Sequence, residues 1–329
     1  MMPKRPRHHS AIASGRQILQ RAACASAALM LAACATGTSH VNKRQILVIG
    51  NSNYQSWSTL RNPINDKDEV CKVFRDDLSF EHVCKADIAS KQEFKLFVDA
   101  YVAKLQPDST GVFYYSGHGV QIAGKNYLVP TGAPYPPSVD DLYPVTDLFK
   151  AIRSKVKDPT GMQMIVLDAC RTDTKLRDAT APAATPAAIP QPRPEPAPRT
   201  TAVAMAPFEM RGSIDWDPNA PPRPASIGSS EKSEAPKESI ILFATAANQG
   251  AFDGGADGHG PLTRQFLTQI KQRGLNIEDL VKEVSTGVRE TTRLRFGIEQ
   301  TPYTYQSFTG QFCFSGCFNP ENFIVPVTP

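Results

Sequence analysis

Neither of the common phosphate-cradling turns occurs in this chain. There is no Gly-x-Gly-x-x-Gly and no Gly-x4-Gly-Lys-[Ser/Thr], and Gly50-Asn51-Ser52-Asn53 resembles a phosphate loop only superficially. No Cys and His residues stand at zinc-ligand spacing, which argues against a structural or catalytic zinc centre. No apolar run approaches the roughly twenty residues of a permanent membrane span; the longest, from Ala22 to Ala33, is about a dozen. A working excess of charge is missing too. Five of the 36 basic residues (Lys4, Arg5, Arg7, Arg16 and Arg21) lie before residue 34 in a stretch without acids, and the remainder sets 31 basic residues against 32 acidic ones. The formal net charge of +4 therefore belongs to the N-terminus, and no nucleic-acid partner is expected.

A basic stretch followed by a short apolar run is the pattern of a secretory signal. Leu31-Ala32-Ala33-Cys34 looks like a bacterial lipobox, in which Cys34 is lipidated and becomes the mature N-terminus. Ala35 rather than an aspartate follows, which in such signals directs the protein to the outer membrane. The expected organisation is a leader at 1–33, a small polar tether at 34–43, a folded region at 44–174, an interruption at 175–237, the remainder of the same fold at 238–318 and a tail at 319–329. The expected location is the bacterial envelope, lipid-anchored on the periplasmic side, or export.

The folded region opens with the strand pattern Gln45-Ile46-Leu47-Val48-Ile49-Gly50. A helix from Lys67 to Asp77, with Asn65 or Asp66 as its cap, repeats Val70, Val73, Phe74 and Leu78 at helical spacing. A strand at 81–86, a helix at 91–105 and the strand that runs to His118 continue the alternation expected of a parallel α/β sheet with helices on both faces. Residues 120–130 read as a hairpin, 145–156 as a helix and the apolar run that ends on Cys170 as another buried strand. Thirteen of the 28 prolines then crowd between Ala181 and Lys237, a composition that favours disorder. Strand, loop, two helices and a last strand at about 305–314 follow it.

Two apolar runs end on reactive groups. Val112-Phe113-Tyr114-Tyr115-Ser116-Gly117-His118-Gly119 ends on an imidazole, and Met164-Ile165-Val166-Leu167-Asp168-Ala169-Cys170-Arg171 on a thiol fifty-two residues later. If the runs are adjacent parallel strands, both groups lie in the crevice at the C-terminal edge of the sheet. A thiol beside an imidazole is a nucleophile with its base. Cysteine counting agrees with this. After Cys24 and Cys34, five remain, an odd number in an oxidising compartment. Cys71–Cys84 and Cys313–Cys317 can pair, which leaves Cys170 over.

Tyr-Tyr-Ser-Gly-His-Gly and Leu-Asp-Ala-Cys-Arg, with Asn62-Pro63-Ile64-Asn65-Asp66 and Gln300-Thr301-Pro302-Tyr303, resemble the caspase-like cysteine peptidases, most closely their bacterial metacaspase-like members. In the caspase signature Gln-Ala-Cys-Arg-Gly the histidine lies about fifty residues upstream. Here Asp168 replaces the glutamine and Thr172 the glycine. The resemblance covers residues 44 to about 314. It implies a caspase-hemoglobinase-like three-layer α/β/α sandwich and a Cys170–His118 dyad, with the Gly119 and Cys170 amides as oxyanion donors. It also implies a substrate pocket of Asp66, Ser116 and Asp168 that prefers Arg or Lys before the scissile bond, although Arg61 nearby can neutralise one carboxylate or favour an acidic substrate. The interruption at 175–237 falls where family members carry a cleavable intersubunit loop, with Arg177, Arg193, Arg199, Arg211 and Arg223 in or beside it.

Protein or peptide substrates are the implied partners; the sequence does not speak to oligomeric state. No cofactor is required. Some family members use calcium, and Asp140-Asp141 resembles one part of their acidic site without a visible remainder. His40, His82 and His259 are expected at the surface. Two other function classes fit the same sheet: a catalytically silent caspase-like scaffold or binding protein of the envelope, and a flavodoxin-like nucleotide binder, which the missing phosphate motifs disfavour.

Overall fold

The computed structural model describes residues 44–174, 176, 209–211, 229–255 and 258–318. The expected leader, Cys34 as lipidation site, the tether with His40, the tail 319–329 and most of the 175–237 tract lie outside the described residues. Strand β1 (Arg44–Gly50) leads to helix α1 (Pro63–Lys72), which continues as a wider turn to Asp77, then to β2 (Glu81–Ala86), α2 (Lys91–Lys104) and β3 (Thr110–Ser116). A hairpin of β4 (Gly119–Ile122) and β5 (Lys125–Leu128) and the short β6 (Tyr143–Pro144) precede α3 (Val145–Lys155) and β7 (Gln163–Asp168). Then come β8 (Thr172–Asp173), β9 (Glu209–Met210), α4 (Ser229–Glu234), β10 (Ser239–Phe243), β11 (Phe252–Gly254), α5 (Pro261–Ile270), α6 (Ile277–Phe296) and β12 (Tyr303–Gln306).

Six of these strands form one sheet in the order β12-β10-β7-β3-β1-β2, parallel except for β12. The period-two alternation of a strand divides each apolar run between the two faces. Ile46, Val48, Val112, Tyr114, Met164 and Val166 pack with Val70 of α1, Phe74 of the wider turn that continues it, Phe266 of α5 and Val284 of α6. Leu47, Ile49, Phe113, Tyr115, Ile165 and Leu167 face Phe94 and Val98 of α2 and Phe149 and Ile152 of α3. Parallel neighbours need crossover helices, and these fill both faces, giving the three-layer α/β/α architecture.

Register does the positioning. Gly50 pairs with Ser116 across β1 and β3, and Ser116 pairs with Asp168 across β3 and β7. The three strands thus stop level with one another, and His118 and Cys170 each stand two residues beyond a paired end.

Three sequence expectations need correction. Helix α1 begins at Pro63, with Asn62 at the N-cap and no side-chain cap; the Asn62 amide bonds Asp253 O instead, and Asp66 sits buried in the first turn. The last strand stops at Gln306. Beyond it Ser307 N and Phe308 N both bond Ser239 O, and Phe314 turns edge-on to Phe74 at 5.6 Å, so those aromatics fill the core and do not extend the sheet. The Pro-rich tract is not uniformly without structure. Its residues 209–210 form β9, paired antiparallel with β11, and 229–234 form α4. Both cysteine pairs are bonded, Cys71 to Cys84 and Cys313 to Cys317, and Cys170 is free.

The first turn of α1 lies against the end of β1. A Cβ on Gly50 would fall 2.3 Å from Pro63 O and 2.8 Å from Lys67 Cβ. Gly50→Ala should therefore push α1 outward and lower stability by about 1–3 kcal/mol. The urea midpoint checks this, and a midpoint equal to that of the wild type would contradict the packing described.

Candidate active site

His118 is fully buried, with its ring 4.5 Å from that of Tyr54 and 5.5 Å from that of Trp57. Its main-chain N–H donates to Tyr54 Oη at 2.7 Å, and Tyr115 Oη donates to its carbonyl at 2.8 Å. On the ring, Nε2 lies 2.7 Å from Ser58 O and 3.3 Å from Ser58 Oγ. A carbonyl can only accept, so Nε2 carries the proton. That leaves the lone pair on Nδ1, which is buried without a hydrogen-bond partner. Burial pushes the imidazole down to about 4, partly offset by the Ser58 and Arg211 main chains. A neutral ring with an unused acceptor is a base waiting for a proton.

Cys170 follows the end of β7 and is also buried. Its Sγ accepts from Ala251 N at 2.8 Å and lies 3.7 Å from Ala251 O. Burial pushes the thiol up to about 12, so it is protonated in this state. Gly119 runs alongside. A Cβ there would come within 2.7 Å of Cys170 O and 2.9 Å of Ala169 Cβ, so only glycine allows the two backbones so close.

The acidic residues meet. Asp66 from α1, Asp168 at the end of β7 and Asp253 in β11 are all fully buried, and all three close on the guanidinium of Arg211, itself wholly inaccessible to solvent. Nη2 reaches Asp66 Oδ2 at 2.6 Å, Nη1 reaches Asp168 Oδ1 at 2.9 Å and Asp168 O at 3.0 Å, and Nε reaches Asp253 Oδ1 at 2.8 Å. The carboxylates have further donors as well. Ser116 Oγ donates to Asp66 Oδ2 at 2.8 Å, Thr263 Oγ1 to Asp168 Oδ2 at 2.5 Å, and the Arg61 and Asn62 amides to Asp253 Oδ2 at 2.7 and 3.1 Å. Burial and the other carboxylates push Asp168 upward, and Arg211 pulls it back. The cation that answers this pocket is Arg211; Arg61 contributes its backbone.

The main chain around Arg211 is seated as firmly. Met210 pairs with Phe252, Arg211 N donates to Ala251 O at 2.9 Å, and Cys170 N donates to Arg211 O at a long 3.4 Å. One residue thus puts its side chain among three carboxylates and its carbonyl at the amide of the candidate nucleophile.

His118, Gly119, Cys170, Asp66, Ser116 and Asp168 lie together at the C-terminal edge of the sheet. Four contributors were missed. Asp253 falls where the sequence reading had only a loop, and it carries no motif. Ser58 acts through its carbonyl, which any residue possesses. His259 is not a free surface residue: its Nδ1 is 3.0 Å from Asp66 Oδ1, beside Gly260 N at 3.2 Å. Arg211 was one arginine among several, although six of the eight large apolar residues between 181 and 237 fall at 203–216 around it. Asp141 accepts from Ser138 N and Oγ in a capping box. Among the described residues no group of three or more His, Cys, Asp or Glu side chains is arranged to hold a metal ion.

A family model described as the caspase domain matches residues 43–313. Among curated proteins, the human mucosa-associated lymphoid tissue lymphoma translocation protein 1 is 32% identical over 125 residues, which are 38% of this chain and 15% of the human protein. Its mouse homolog is 30% identical over 136 residues, 41% of this chain and 16% of the relative. The match therefore spans less than a fifth of either relative's length.

The buried imidazole has a thermodynamic signature. Its ordinary value is 6.5 and its folded value about 4. Below pH 6.5 the unfolded chain binds a proton that the folded chain refuses, so the stability from neutral His118 is present above 6.5 and lost as pH falls toward 4. Unfolding free energies from urea titrations in a Cys170→Ala background should drop between pH 7.5 and 5, by about 2 kcal/mol at most. The drop should shrink in His118→Gln; an equal drop in both would contradict the assignment.

Proposed function

The chain belongs to the caspase-domain family of cysteine peptidases, and from that membership we propose that it is an active endopeptidase that cuts after arginine or lysine. The observation that carries this reading is the enclosure of the Arg211 guanidinium by Asp66, Asp168 and Asp253 while its carbonyl meets Cys170 N. Three desolvated carboxylates are costly without a cation, and a guanidinium satisfies several of them at once through charge-assisted bonds. A substrate aspartate at the same position would be a fourth carboxylate with no donor to meet it.

In this reading Cys170 is the nucleophile and His118 the base. Nδ1, free of partners, takes the thiol proton as Sγ attacks the carbonyl carbon of the residue held in the pocket. Negative charge develops on the carbonyl oxygen, against the Cys170 amide and, through the close approach of its backbone, the Gly119 amide. His118 returns the proton to the departing amine, and water then hydrolyses the thioester. Ser58 O fixes the tautomer that leaves Nδ1 available. The lipobox-like sequence ending in Cys34 would hold this activity at the envelope, acting on protein and peptide segments there.

Arginyl peptides should be hydrolysed and aspartyl peptides not; preferential aspartyl cleavage would refute the assigned specificity. An arginyl electrophile should label Cys170 in the wild type and fail in His118→Ala. Labelling of neither, in folded protein, would favour a silent scaffold. Asp253→Asn, a position without any motif, should reduce kcat/KM for arginyl peptides by roughly 10- to 100-fold, mainly through KM. An unchanged KM would remove Asp253 from the pocket.

A further inference from the structure

We propose that Tyr54 is a positioning residue for the general base: its hydroxyl closes a ring of three hydrogen bonds around the His118 main chain and so fixes the place from which Nδ1 takes the thiol proton. This rests on the peptidase reading and adds to it a residue that takes no part in the proton transfer itself.

The direction of each proton follows from the atoms involved. The His118 N–H can only donate, and its partner is Tyr54 Oη at 2.7 Å. The carbonyls of His118 and Val129 can only accept, so Tyr115 Oη, at 2.8 and 3.3 Å from them, gives its one proton there. It must then accept from Tyr54 Oη at 3.2 Å. Tyr54 thus donates to Tyr115, Tyr115 to the His118 carbonyl, and the His118 amide to Tyr54. Each hydroxyl gives one bond and takes one, and bonds linked in this way strengthen one another. Burial pushes both phenols upward, so each keeps the proton that it donates. A Cβ on Gly117 would fall 2.6 Å from Tyr115 Oη and 2.7 Å from Tyr54 Oη, so the hydroxyls take the space that a side chain there would need.

The base is held by a part of the molecule separate from the sheet. Strand β3 ends at Ser116, two residues short of His118. Tyr54, Trp57 and Leu60 pack with Val120, Tyr127 and Val129 in an apolar cluster apart from the two that cover the sheet faces. Their turn is pinned from outside. Asp87 Oδ1 accepts from Ser52 N at 2.8 Å and Asn53 N at 3.0 Å, and Gln55 N donates to Thr131 O at 2.9 Å. The same turn supplies Ser58 O to the imidazole, so it grips His118 twice, at the main chain through Tyr54 and at the ring through Ser58. The group that orients a catalytic histidine is commonly a carboxylate. Here, among the described residues, no carboxylate bonds the His118 ring, and the orientation falls to this turn. Misplacing a catalytic group by 1 Å costs on the order of 100-fold in rate. None of the three bonds in the ring reaches Asp66, Asp168 or Asp253, so the leverage is on kcat and not on the pocket.

Y54F, Y115F, the double variant and Y101F, which alters a buried tyrosine of α2, test this in the full chain. Two rates are measured: arginyl-peptide hydrolysis, and alkylation by iodoacetamide read at Cys170 by peptide mass, with H118A as reference. Each is referred to the folded fraction given by a urea titration. Y54F keeps the aromatic ring beside the imidazole and removes only the oxygen. Its kcat should fall roughly 10- to 100-fold with KM unchanged, and its alkylation should slow toward that of H118A. Y115F should behave alike, and carries the same test through the other hydroxyl should Y54F fail to fold. The double variant should lose far less than the product of the two single losses, because either change already opens the ring. Y101F should match the wild type. Wild-type kcat and alkylation in Y54F, a loss confined to KM, or an equal loss in Y101F would overturn the positioning role. Losses that simply multiply in the double variant would overturn the closed ring. If the wild type hydrolyses no arginyl peptide, alkylation decides. Slowing in both Y54F and H118A would uphold the positioning of the base while the peptidase reading falls, and equal rates in wild type and H118A would overturn the dyad and this proposal with it.

Discussion

Three buried carboxylates around one guanidinium are the constraint from which the rest of the site follows. Asp66, Asp168 and Asp253 come from a helix, a central strand and a loop ribbon far apart in sequence, and none is exposed to water. Each is tolerated because its oxygens are divided between the cation and other donors. For Asp66 those are Ser116, His259 and Gly260; for Asp168, Thr263; for Asp253, the amides at the start of α1. The cage therefore ties together the first helix, the sheet edge and the 252–263 segment. Emptied, it would hold uncompensated charge in a region of low polarisability, which selects for a cationic ligand whatever its source.

The dyad shows the complementary strategy. His118 and Cys170 are equally buried but have no cation–anion partner, and both are neutral, the imidazole pushed down and the thiol up. Charge is thus confined to the cage of carboxylates around Arg211, while the imidazole and the thiol are both neutral. In the proposed mechanism the proton between them would move only when a carbonyl is in place, so no standing thiolate would have to be maintained in an apolar surround.

The sheet and the dyad were legible because they are written in local pattern. Apolar runs of strand length stop on His118 and Cys170, and the parallel register places Ser116 opposite Asp168. Asp66 was legible only through Asn62-Pro63-Ile64-Asn65-Asp66, and its function as a helix cap was misjudged, since Pro63 already starts the helix. What could not be read arises from tertiary proximity alone. Ser58 offers a carbonyl, Asp253 sits in an unremarkable loop, and His259 acquires its role by lying over Asp66. The Pro-rich tract misled for a different reason. Its average composition favours disorder, but three residues with the right partners are enough to dock, because strand pairing and ion pairs answer to position rather than to mean hydropathy. The end of β12 was misplaced because aromatic residues at 308–314 satisfy a core as readily as a strand.

The Pro-rich tract is fastened at two places, at Arg211 and at Glu231 of α4, whose buried carboxylate accepts from Asn126 N and Nδ2, and this bears on how the segment between them is free to change. Once both ends are fixed to the body, the cost of closing the intervening chain grows only logarithmically, about 0.6 kcal/mol for each doubling of its length. Selection acting through stability is consequently almost blind to how many residues lie there or which they are, provided that the two anchors keep their partners. Related chains would be expected to vary widely in the span between such anchors while keeping a basic residue at the first and an acidic one at the second. The segment that looks least informative in composition would then be the part of the molecule freest to acquire new sequence without disturbing its fold.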